Sequence, residues 1–457
     1  MTDHQFDIVV LGGGSGGYAA ALRAAELGKS VALVEKDKVG GTCLHRGCIP
    51  TKALLHAAEV ADVTRDAAAI GIRATLDGID PEGVRAYREG IVAKKFKGLE
   101  GLIKARGITV VAGEGVLEAG PSVRVGDDVY RGADVILATG SYSRSLPGLE
   151  IGGRVLTSEH ALELNEIPQR VVILGGGVIG VEFASVWRSF GVEVTIVEAL
   201  DHLVPNEDVA MSKALERAFR RRGISSSLGV RFAGVTQTSD AVTVTLENGS
   251  TFEAEYLLVA VGRGPATAGL GFEENGVTLD RGFVTTDERL RTSAEHVWAV
   301  GDIVPGLQLA HRGFQQGIFV AEEIAGLRPV LVPDAQIPKV TYSHPEVASV
   351  GLTETQAVEA HGADAVVSYE YNLAGNGKSE IIGTAGLVKV VRAKDGPVLG
   401  VHLVGDRVGE LITEGQLAVG WEAHPEDIAP FIHAHPTQSE ALGEAFLALA
   451  RKPLHTL

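Results

Sequence analysis

The hydrophobic positions at the start of the chain alternate with turn and helix patterns in a fixed order. Residues 8–11 form an uninterrupted apolar run, a glycine-rich turn follows, and residues 31–35 form a second apolar run that ends at Glu35. The residues between the two runs have apolar positions at helical spacing, and Gly28 follows the last of them. This order predicts a βαβ unit with strands near 7–11 and 31–35.

The same pattern returns later in the chain. Gly175 stands 163 residues after Gly12, and the acid that closes the second copy, Glu198, stands 163 residues after Glu35. The strands of this copy are predicted near 171–174 and 194–198. Two copies with one offset indicate a duplicated dinucleotide-binding module.

The remaining pattern predicts the other elements. Helices are expected at 50–66 and 91–105, short strands at 108–131, and buried strands at 134–140, 256–262 and 297–302. From residue 338 onward the pattern predicts a separate α+β region, with strands at 387–392 and 398–404 and helices at 408–420 and 439–450. Proline-containing segments near 146–148, 265 and 333–338 are predicted joints.

Composition narrows the class of protein. The 457 residues suggest about three domains, and the net charge of −17 argues against a nucleic-acid surface. Two cysteines can form neither a secreted disulfide scaffold nor a closed zinc site, so no metal is expected. No apolar run approaches the length of a membrane span, and the first residues lack a basic signal region. These features predict a cytoplasmic protein with no membrane partner.

Each glycine-rich turn has the form G-x-G-x-x-G, with an acid 18 residues after its third glycine. The first glycine makes a tight turn, the second admits a pyrophosphate, and the third lets helix and strand pack closely. The alternative is that these are ordinary packing glycines, which two matching copies disfavour. Two sites indicate two dinucleotides, usually a flavin and a nicotinamide. Glu198 would repel a 2′-phosphate, so the second site favours NAD unless Arg220 or Arg221 folds back onto that phosphate.

Both cysteines of the chain lie in one short segment, as Cys43 and Cys48. In a regular helix, residues five apart are too distant and point in different directions for a disulfide. Either the two thiols do not bond or the helix start is distorted around Gly47. Two inert buried thiols are the remaining alternative.

The segment GGTCLHRGCIPTK closely resembles the redox-active stretch of the flavin disulfide reductases of the glutathione reductase and lipoamide dehydrogenase type. The resemblance covers the whole chain, and it is strongest to the lipoamide dehydrogenases. It rests also on the segments LGGGSGG, ATGS, GGGVIGVE, AVGR, AVGD, TYSHPEVASVG and HAHPTQSEA. The sequence departs from the family pattern at Leu44-His45-Arg46, Thr51, Gln315-Gln316 and Asn372–Ser379. The departures leave the implied chemistry unchanged and bear on substrate preference.

The resemblance implies an α/β fold with two Rossmann-like dinucleotide-binding domains and a C-terminal α+β dimerisation domain. The implied limits are 1–148 and 269–335 for the two parts of the FAD and central domain, 149–268 for the NAD domain, and 336–457 for the dimerisation domain. The residues implied to bind FAD are Gly12, Gly14, Gly17, Glu35, Thr42, Lys52, Gly115, Thr139, Gly140, Ser141, Asp302 and Ala310. Those implied to bind NAD are Gly175, Gly177, Gly180, Glu198 and Gly262.

The resemblance also assigns the catalytic groups. Cys48 would face the flavin and form the charge-transfer thiolate, and Cys43 would exchange with substrate. Lys52 would lie beside the flavin and pair with Glu182, so that neither ion is buried alone. The alternatives are a helix-surface acid for Glu182 and a solvated side chain for Lys52.

Near the C-terminus, His435 would act as the base that generates the attacking thiolate, with Glu440 orienting its ring. From local sequence, Glu440 is equally well explained as part of a capping box with Thr437 at the start of the helix, and His435 as an ordinary loop histidine. His435 fits the family motif better than His433, because it directly precedes proline. The resemblance places this pair in the active site of the partner subunit of a homodimer.

The resemblance therefore implies oxidation of dihydrolipoyl groups, with FAD and NAD as cofactors. The implied partners are lipoyl domains and lipoyl-bearing acyltransferase subunits of 2-oxo acid dehydrogenase complexes, or the glycine cleavage system. Other flavin disulfide reductases, a quinone or dye reductase, and a non-enzymatic FAD-binding scaffold or redox sensor are the alternatives. Glu198 disfavours the NADPH-dependent reductases, and relatives that need a second thiol pair are disfavoured because no cysteine follows Cys48.

Overall fold

The computed structural model describes residues 2–456. They form two compact units. The first unit contains the described residues up to Ala53, together with Glu82–Arg144 and Gly262–Asp334. The second contains Leu54–Pro81, Ser145–Val261 and the described residues from Ala335 onward. The chain therefore leaves the first unit and returns to it twice.

The α-helices, in chain order, are α1 (Ser15–Glu26), α2 (Gly41–His45), α3 (Cys48–Asp66), α4 (Pro81–Ala105), α5 (Ser158–Leu162), α6 (Val178–Ser189), α7 (Val209–Arg222), α8 (Ala310–Ile324), α9 (Glu354–His361), α10 (Gly377–Ile382), α11 (Val408–Gly420), α12 (Pro425–Ile428) and α13 (Glu440–Leu449).

The strands are β1 (Asp3–Gln5), β2 (Ile8–Leu11), β3 (Val31–Glu35), β4 (Thr109–Ala112), β5 (Gly115–Glu118), β6 (Ser122–Val125), β7 (Asp128–Arg131), β8 (Asp134–Leu137), β9 (Ser141–Ser143), β10 (Val155–Leu156), β11 (Arg170–Leu174), β12 (Glu193–Glu198), β13 (Ser225–Leu228), β14 (Phe232–Gln237), β15 (Val242–Leu246), β16 (Thr251–Ala254), β17 (Tyr256–Val259), β18 (Arg263–Pro265), β19 (Leu279–Asp280), β20 (Phe283–Val284), β21 (Val297–Ala299), β22 (Lys339–Thr341), β23 (Glu346–Gly351), β24 (Val366–Asn372), β25 (Leu387–Ala393) and β26 (Val398–Gly405).

A five-stranded parallel sheet of order β21-β8-β2-β3-β4 forms the centre of the first unit. In β2, Ile8 lies opposite both Val31 of β3 and Asp134 of β8. The apolar residues of β2 are buried, as expected for a parallel strand that is covered on both faces. The helix α1 connects β2 to β3, which confirms the predicted βαβ unit. A smaller sheet of order β1-β7-β6-β5 belongs to the same unit.

The helices α1 and α8 pack closely in the first unit. A Cβ on Gly317 of α8 would lie 2.2 Å from the carbonyl oxygen of Gly16 in α1, so only glycine permits this approach. The contact fixes the start of α8, at Ala310, relative to the helix that follows the first glycine-rich turn.

The second unit repeats the βαβ arrangement. Its parallel sheet has the order β10-β17-β11-β12-β13, with Val171 of β11 opposite Val194 of β12 and Tyr256 of β17. The helix α6 connects β11 to β12, so the predicted second copy is confirmed. An antiparallel sheet of order β14-β15-β16 follows in the chain.

The C-terminal part of the second unit contains an antiparallel sheet of order β22-β23-β26-β25-β24. Its core includes Leu403 of β26 and Phe446 of α13, both fully buried. The prediction of an α+β region is confirmed, and the helix expected at 408–420 has those bounds. The pattern predicted β25 and β26 but not the other three strands of this sheet.

Two helices begin earlier than predicted. The helix expected from Ile91 begins at Pro81, because the glycines at 83 and 90 weaken the helical pattern without ending the helix. The helix expected from Pro50 begins at Cys48. Within residues 2–456, no helix is both long and apolar enough to cross a membrane. The domain limits at 148, 268 and 335 stay predictions.

Candidate active site

The first glycine-rich turn gives each of its three glycines a different environment. Gly12 has a φ of +105°, and a Cβ there would lie 2.3 Å from the carbonyl oxygen of Ala138. A Cβ on Gly17 would lie 1.8 Å from the carbonyl oxygen of Gly12. A Cβ on Gly14 would meet no atom within 4 Å. Gly12 thus permits the turn, Gly17 permits the helix to pack on it, and Gly14 leaves an open approach to the start of α1.

The second turn has the same division of roles. Gly175 has a φ of +114°, and a Cβ there would lie 2.4 Å from the carbonyl oxygen of Ala260. A Cβ on Gly180 would lie 2.0 Å from the carbonyl oxygen of Gly175, whereas a Cβ on Gly177 would meet nothing within 4 Å. The middle glycine of each turn is therefore the one not required by the protein's own packing.

The acid that closes each copy folds back onto its turn. Oε2 of Glu35 accepts the N–H of Gly13 at 2.7 Å, and Oε1 accepts the N–H of Asp37 at 2.8 Å. Glu198 receives the corresponding pair of bonds at 2.7 and 2.8 Å. Burial raises the pKa of Glu35 above its ordinary value. Each carboxylate oxygen can accept more than one hydrogen bond, so lone pairs remain for the vicinal hydroxyls of a ribose.

Both turns fit a dinucleotide. An open glycine at the N-terminus of a helix suits a pyrophosphate, and the nearby carboxylate suits the adjoining ribose. At Glu198 a 2′-phosphate would meet a carboxylate, and residues 199–205 contain no lysine or arginine. The second turn therefore fits NAD better than NADP.

A chain of hydrogen bonds leads to Asp302, the residue expected at the ribityl hydroxyls. Oγ of Ser141 donates to Asp302 across 2.5 Å, and Nε of Arg263 donates to the same Oγ across 2.8 Å. Next to Ser141, the Thr139 hydroxyl donates to the carbonyl oxygen of Ala266 at 2.6 Å. Arg263 is the last residue of the AVGR segment, but no sequence pattern gave it a role. The three predicted residues are thus brought together with one that was missed.

For five further residues predicted to bind cofactor, the structure shows their position in the fold. Gly115 begins β5, Thr42 lies in α2, and Ala310 begins α8. Gly140 and Gly262 have φ of +77° and +105°, and they follow the equivalent strands β8 and β17. Their contacts with cofactor stay predictions.

The cysteines lie on two different helices. Cys43 belongs to α2 and Cys48 is the first residue of α3, so the chain is interrupted between them at the position predicted for a distortion. A Cβ on Gly47 would lie 3.0 Å from the carbonyl oxygen of Thr42, which shows how tightly the chain turns there. The side chains of the two cysteines are in hydrogen-bonding contact. The helical-spacing argument against pairing therefore does not apply.

The surroundings of the thiols control their ionisation. The hydrogen bond with Cys48 and burial raise the pKa of Cys43, while the positive charge of Lys52 opposes that rise. Tyr18 of α1 lies beside both cysteines, and burial together with their charges raises its pKa to about 12. The thiol pair is therefore adjacent to the helix that follows the first glycine-rich turn. No motif indicated Tyr18, because its contact is made only in the folded chain.

Glu182 lies on α6 and is only 3% exposed. Its Oε1 accepts the backbone N–H of Tyr342 at 2.9 Å. The alternative of a helix-surface acid is wrong, since the side chain is buried. The influence of Lys52 on Cys43 places that cation at the thiol pair. The pairing of Lys52 with Glu182 stays a prediction.

His435 and Glu440 are hydrogen-bonded, with Nδ1 and Oε1 2.9 Å apart. The second carboxylate oxygen accepts the N–H of Thr437 at 2.8 Å, which is one half of the predicted capping box. The other half is missing, because α13 begins at Glu440 with Ser439 at its N-cap, so Thr437 lies outside the capping position. The Thr437 hydroxyl donates instead to the carbonyl oxygen of Ala434 at 2.6 Å. Both explanations of Glu440 thus hold in part. His433 instead bonds to Glu414 at 2.8 Å.

Comparisons with known proteins cover nearly the whole chain. Residues 6–317 match the model of the pyridine nucleotide-disulphide oxidoreductase family, and residues 337–446 match its dimerisation domain. A dihydrolipoyl dehydrogenase of Bacillus subtilis is 40% identical over 99% of both chains. The mitochondrial dihydrolipoyl dehydrogenase of Pisum sativum is 38% identical over 98% of this chain and 92% of that protein. The crystal structure of LpdA from Mycobacterium tuberculosis has a TM-score of 0.90 at 28% identity, covering 98% of this chain and 100% of that one.

Proposed function

Because the chain belongs to the pyridine nucleotide-disulphide oxidoreductase family, we propose that it oxidises dihydrolipoyl groups with NAD as acceptor, as a dihydrolipoamide dehydrogenase. The contact between Cys43 and Cys48, beside the helix of the first dinucleotide turn, carries the proposal. It supplies one exchangeable thiol pair next to one cofactor site. The identity to dihydrolipoyl dehydrogenases over the full chain supports the substrate class.

The chain uses FAD and NAD, and we assign FAD to the first turn and NAD to the second. The open Gly14 and the hydrogen-bonded Glu35 suit the first cofactor, with Ser141 and Asp302 available to its sugar-like chain. Gly177 and Glu198 suit the second. FAD held at the first turn would supply the two-electron redox chemistry that connects the reduced cysteine pair to NAD.

The protein's own residues carry out the thiol–disulfide exchange. Nε2 of His435 accepts the proton of one dihydrolipoyl thiol, and the resulting thiolate attacks the sulfur of Cys43 in the oxidised pair. The sulfur–sulfur bond breaks, and Cys48 leaves as a thiolate. The second dihydrolipoyl thiol then attacks the sulfur of its own molecule that is bound to Cys43, and its proton passes to the departing Cys43 sulfur. This step releases the cyclic disulfide and leaves Cys43 as a thiol and Cys48 as a thiolate, with the first proton on His435.

We propose that the enzyme is a homodimer in which His435 serves the thiol pair of the partner subunit. The match to a dimerisation domain supports the dimer. The His435 side chain is 80% exposed in the single chain, and the nearby Phe431 and Ile432 are 70% and 97% exposed. Apolar side chains this exposed are favourable to bury against a second copy.

For the physiological substrate, we propose lipoyl domains and the lipoyl-bearing acyltransferase subunits of 2-oxo acid dehydrogenase complexes, with the glycine cleavage system as a further source of lipoyl groups.

A dye or quinone reductase would need neither the cysteine pair nor the His435–Glu440 pair. A non-enzymatic scaffold or sensor would need no base.

Anaerobic titration tests the proposal. Dihydrolipoamide should reduce the purified protein and produce the long-wavelength absorbance band of a thiolate beside the flavin. Addition of NAD should then produce NADH. A protein that dihydrolipoamide cannot reduce, but that NADH reduces, would contradict the substrate assignment.

The matched control is Cys43→Ser. It should abolish dihydrolipoamide turnover and retain reduction of artificial dyes by NADH, because the dye reaction does not need the exchanging thiol. Full dihydrolipoamide activity in this variant would refute the role of the cysteine pair.

A further inference from the structure

His45, the last residue of α2, connects the cysteine-bearing segment to two neighbouring elements. Its Nε2 lies 3.0 Å from the carbonyl oxygen of Val39. Its ring meets the ring of Phe96 on α4 edge to face, with centroids 4.9 Å apart and planes at 76°. A carbonyl oxygen only accepts hydrogen bonds, so Nε2 carries the hydrogen and donates it.

Val39 leads directly into the residues that contact the first glycine-rich turn. The N–H of Gly40 donates to the carbonyl oxygen of Gly13 at 2.8 Å. A Cβ on Gly41 would lie only 2.7 Å from Cα of Gly14, the open glycine of that turn. The bond from His45 therefore connects the end of α2 to the segment that packs on the cofactor turn.

The position of Cys43 depends on such contacts, because α2 has only five residues. A helix this short has little stability of its own and is held by what its side chains touch. Leu44 supplies one anchor, since it is buried and fills the space that a Cβ on Gly40 would occupy. His45 supplies the other, two residues after Cys43.

We propose that His45 is a positioning residue for Cys43. Its hydrogen bond to Val39 holds α2 so that the sulfur of Cys43 stays within bonding reach of Cys48. Because this bond orders the segment before the sulfur–sulfur bond forms, its loss should disfavour the disulfide relative to a loosened dithiol. The inference rests on the proposed exchange reaction.

Three substitutions separate the hydrogen bond from the ring contact. His45→Gln keeps a donor at similar reach and removes the ring. His45→Phe keeps the ring and removes the donor. His45→Asn removes the ring, and its shorter amide cannot reach the carbonyl oxygen of Val39. Because His45 is only half-buried, this small polar side chain should be tolerated even if the phenylalanine variant does not fold.

The first measurement is the equilibrium of the FAD-loaded protein with a dithiothreitol buffer, followed through the long-wavelength band and the free-thiol count. Because the loss of one hydrogen bond is worth about a factor of ten, His45→Phe and His45→Asn should shift this equilibrium about tenfold toward the dithiol. His45→Gln should stay within about twofold of the unmodified protein. This readout needs no lipoyl substrate, so it tests His45 even if the proposed function is wrong.

The second measurement separates positioning from general damage. Turnover of dihydrolipoamide should fall in kcat with little change in KM for the phenylalanine and asparagine variants, while NADH-dependent dye reduction is unchanged. An unchanged dithiothreitol equilibrium in both variants would overturn the proposal. An equal shift in the glutamine variant would also overturn it, as would parallel loss of dye reduction and of bound FAD.

Discussion

Nδ1 of His435 donates a hydrogen bond to Oε1 of Glu440 across 2.9 Å. A carboxylate only accepts, so the bond keeps the ring hydrogen on Nδ1 and leaves the lone pair of Nε2 for a substrate proton. Burial raises the pKa of Glu440, but the bonds from Thr437 and His435 outweigh it, and the pKa lies below its ordinary value. Glu440 is therefore ionised at neutral pH.

Glu440→Gln should lower kcat for dihydrolipoamide oxidation about a hundredfold, because an amide can donate to Nδ1 and so favour the wrong tautomer. NADH-dependent dye reduction should be unchanged. Steady-state assays with both acceptors measure this. The chain offers a matched control in Glu414→Gln, which alters the neighbouring histidine–glutamate pair with His433. Equal losses of kcat in the two variants would show that the His435–Glu440 pair has no specific role in catalysis.

The glycines of the second turn should separate folding from cofactor binding. Gly180→Ala places a methyl group 2.0 Å from the carbonyl oxygen of Gly175 and should destabilise the protein by about 1–3 kcal/mol. Gly177→Ala meets no protein atom, so its unfolding midpoint should be unchanged while its KM for NAD rises. Thermal unfolding measures the midpoint of each variant, and the initial rate of NADH formation at varied NAD measures the KM. An unchanged KM for the Gly177→Ala variant would argue that the pyrophosphate lies elsewhere.

Glu198 should determine the preference for NAD over NADP. Glu198→Ser removes the carboxylate that accepts bonds from Gly176 and Leu200, and with it the repulsion of a 2′-phosphate. One charged hydrogen bond to the ribose is worth about tenfold or more, so kcat/KM for NAD should fall by about that factor. The value for NADP should not fall. If the ratio of the two values stayed constant, Glu198 would not contact the ribose.

The parts of the fold that the sequence could predict are those with local causes. Gly12 and Gly17 are required by a turn that closes within a few residues, so their spacing revealed both dinucleotide modules. The unpredicted strand β23 pairs with β26, where Glu346 lies opposite Gly405. Pairings between such distant segments depend on tertiary packing, which no local pattern records.

The same distinction applies to the active site. The cysteines were found because they adjoin a motif, but their spacing left the break between α2 and α3 as one of several alternatives. The contacts of Tyr18 and Arg263 join distant segments, so only the folded chain reveals them. For Glu440, local sequence left capping and ring orientation as equal alternatives. In the structure, one carboxylate oxygen of Glu440 accepts from the His435 ring and the other accepts from the N–H of Thr437.

A buried histidine in the C-terminal sheet should control stability in mild acid. His402 has no exposed surface, and its Nε2 lies 2.9 Å from the carbonyl oxygen of Leu352. Burial lowers its pKa to about 4, and the positive charges of Lys339 and Lys389 act in the same direction. The Leu352 carbonyl and Asp208 raise the pKa, but by less. The ring is therefore neutral in the folded protein at neutral pH, with the hydrogen on Nε2.

The unfolded chain takes up a proton at His402 near pH 6.5, whereas the folded protein does so only near pH 4. Protons thus bind the unfolded state more strongly between these values, and stability should fall by roughly 3 kcal/mol from this group as pH drops from 7 to 4. His402→Gln keeps a donor for Leu352 and cannot ionise, so its stability should fall less over that range. Urea unfolding at pH 7, 5.5 and 4.5 measures the difference. If both proteins lost the same stability on acidification, the protonation of His402 would not be a cause of acid unfolding.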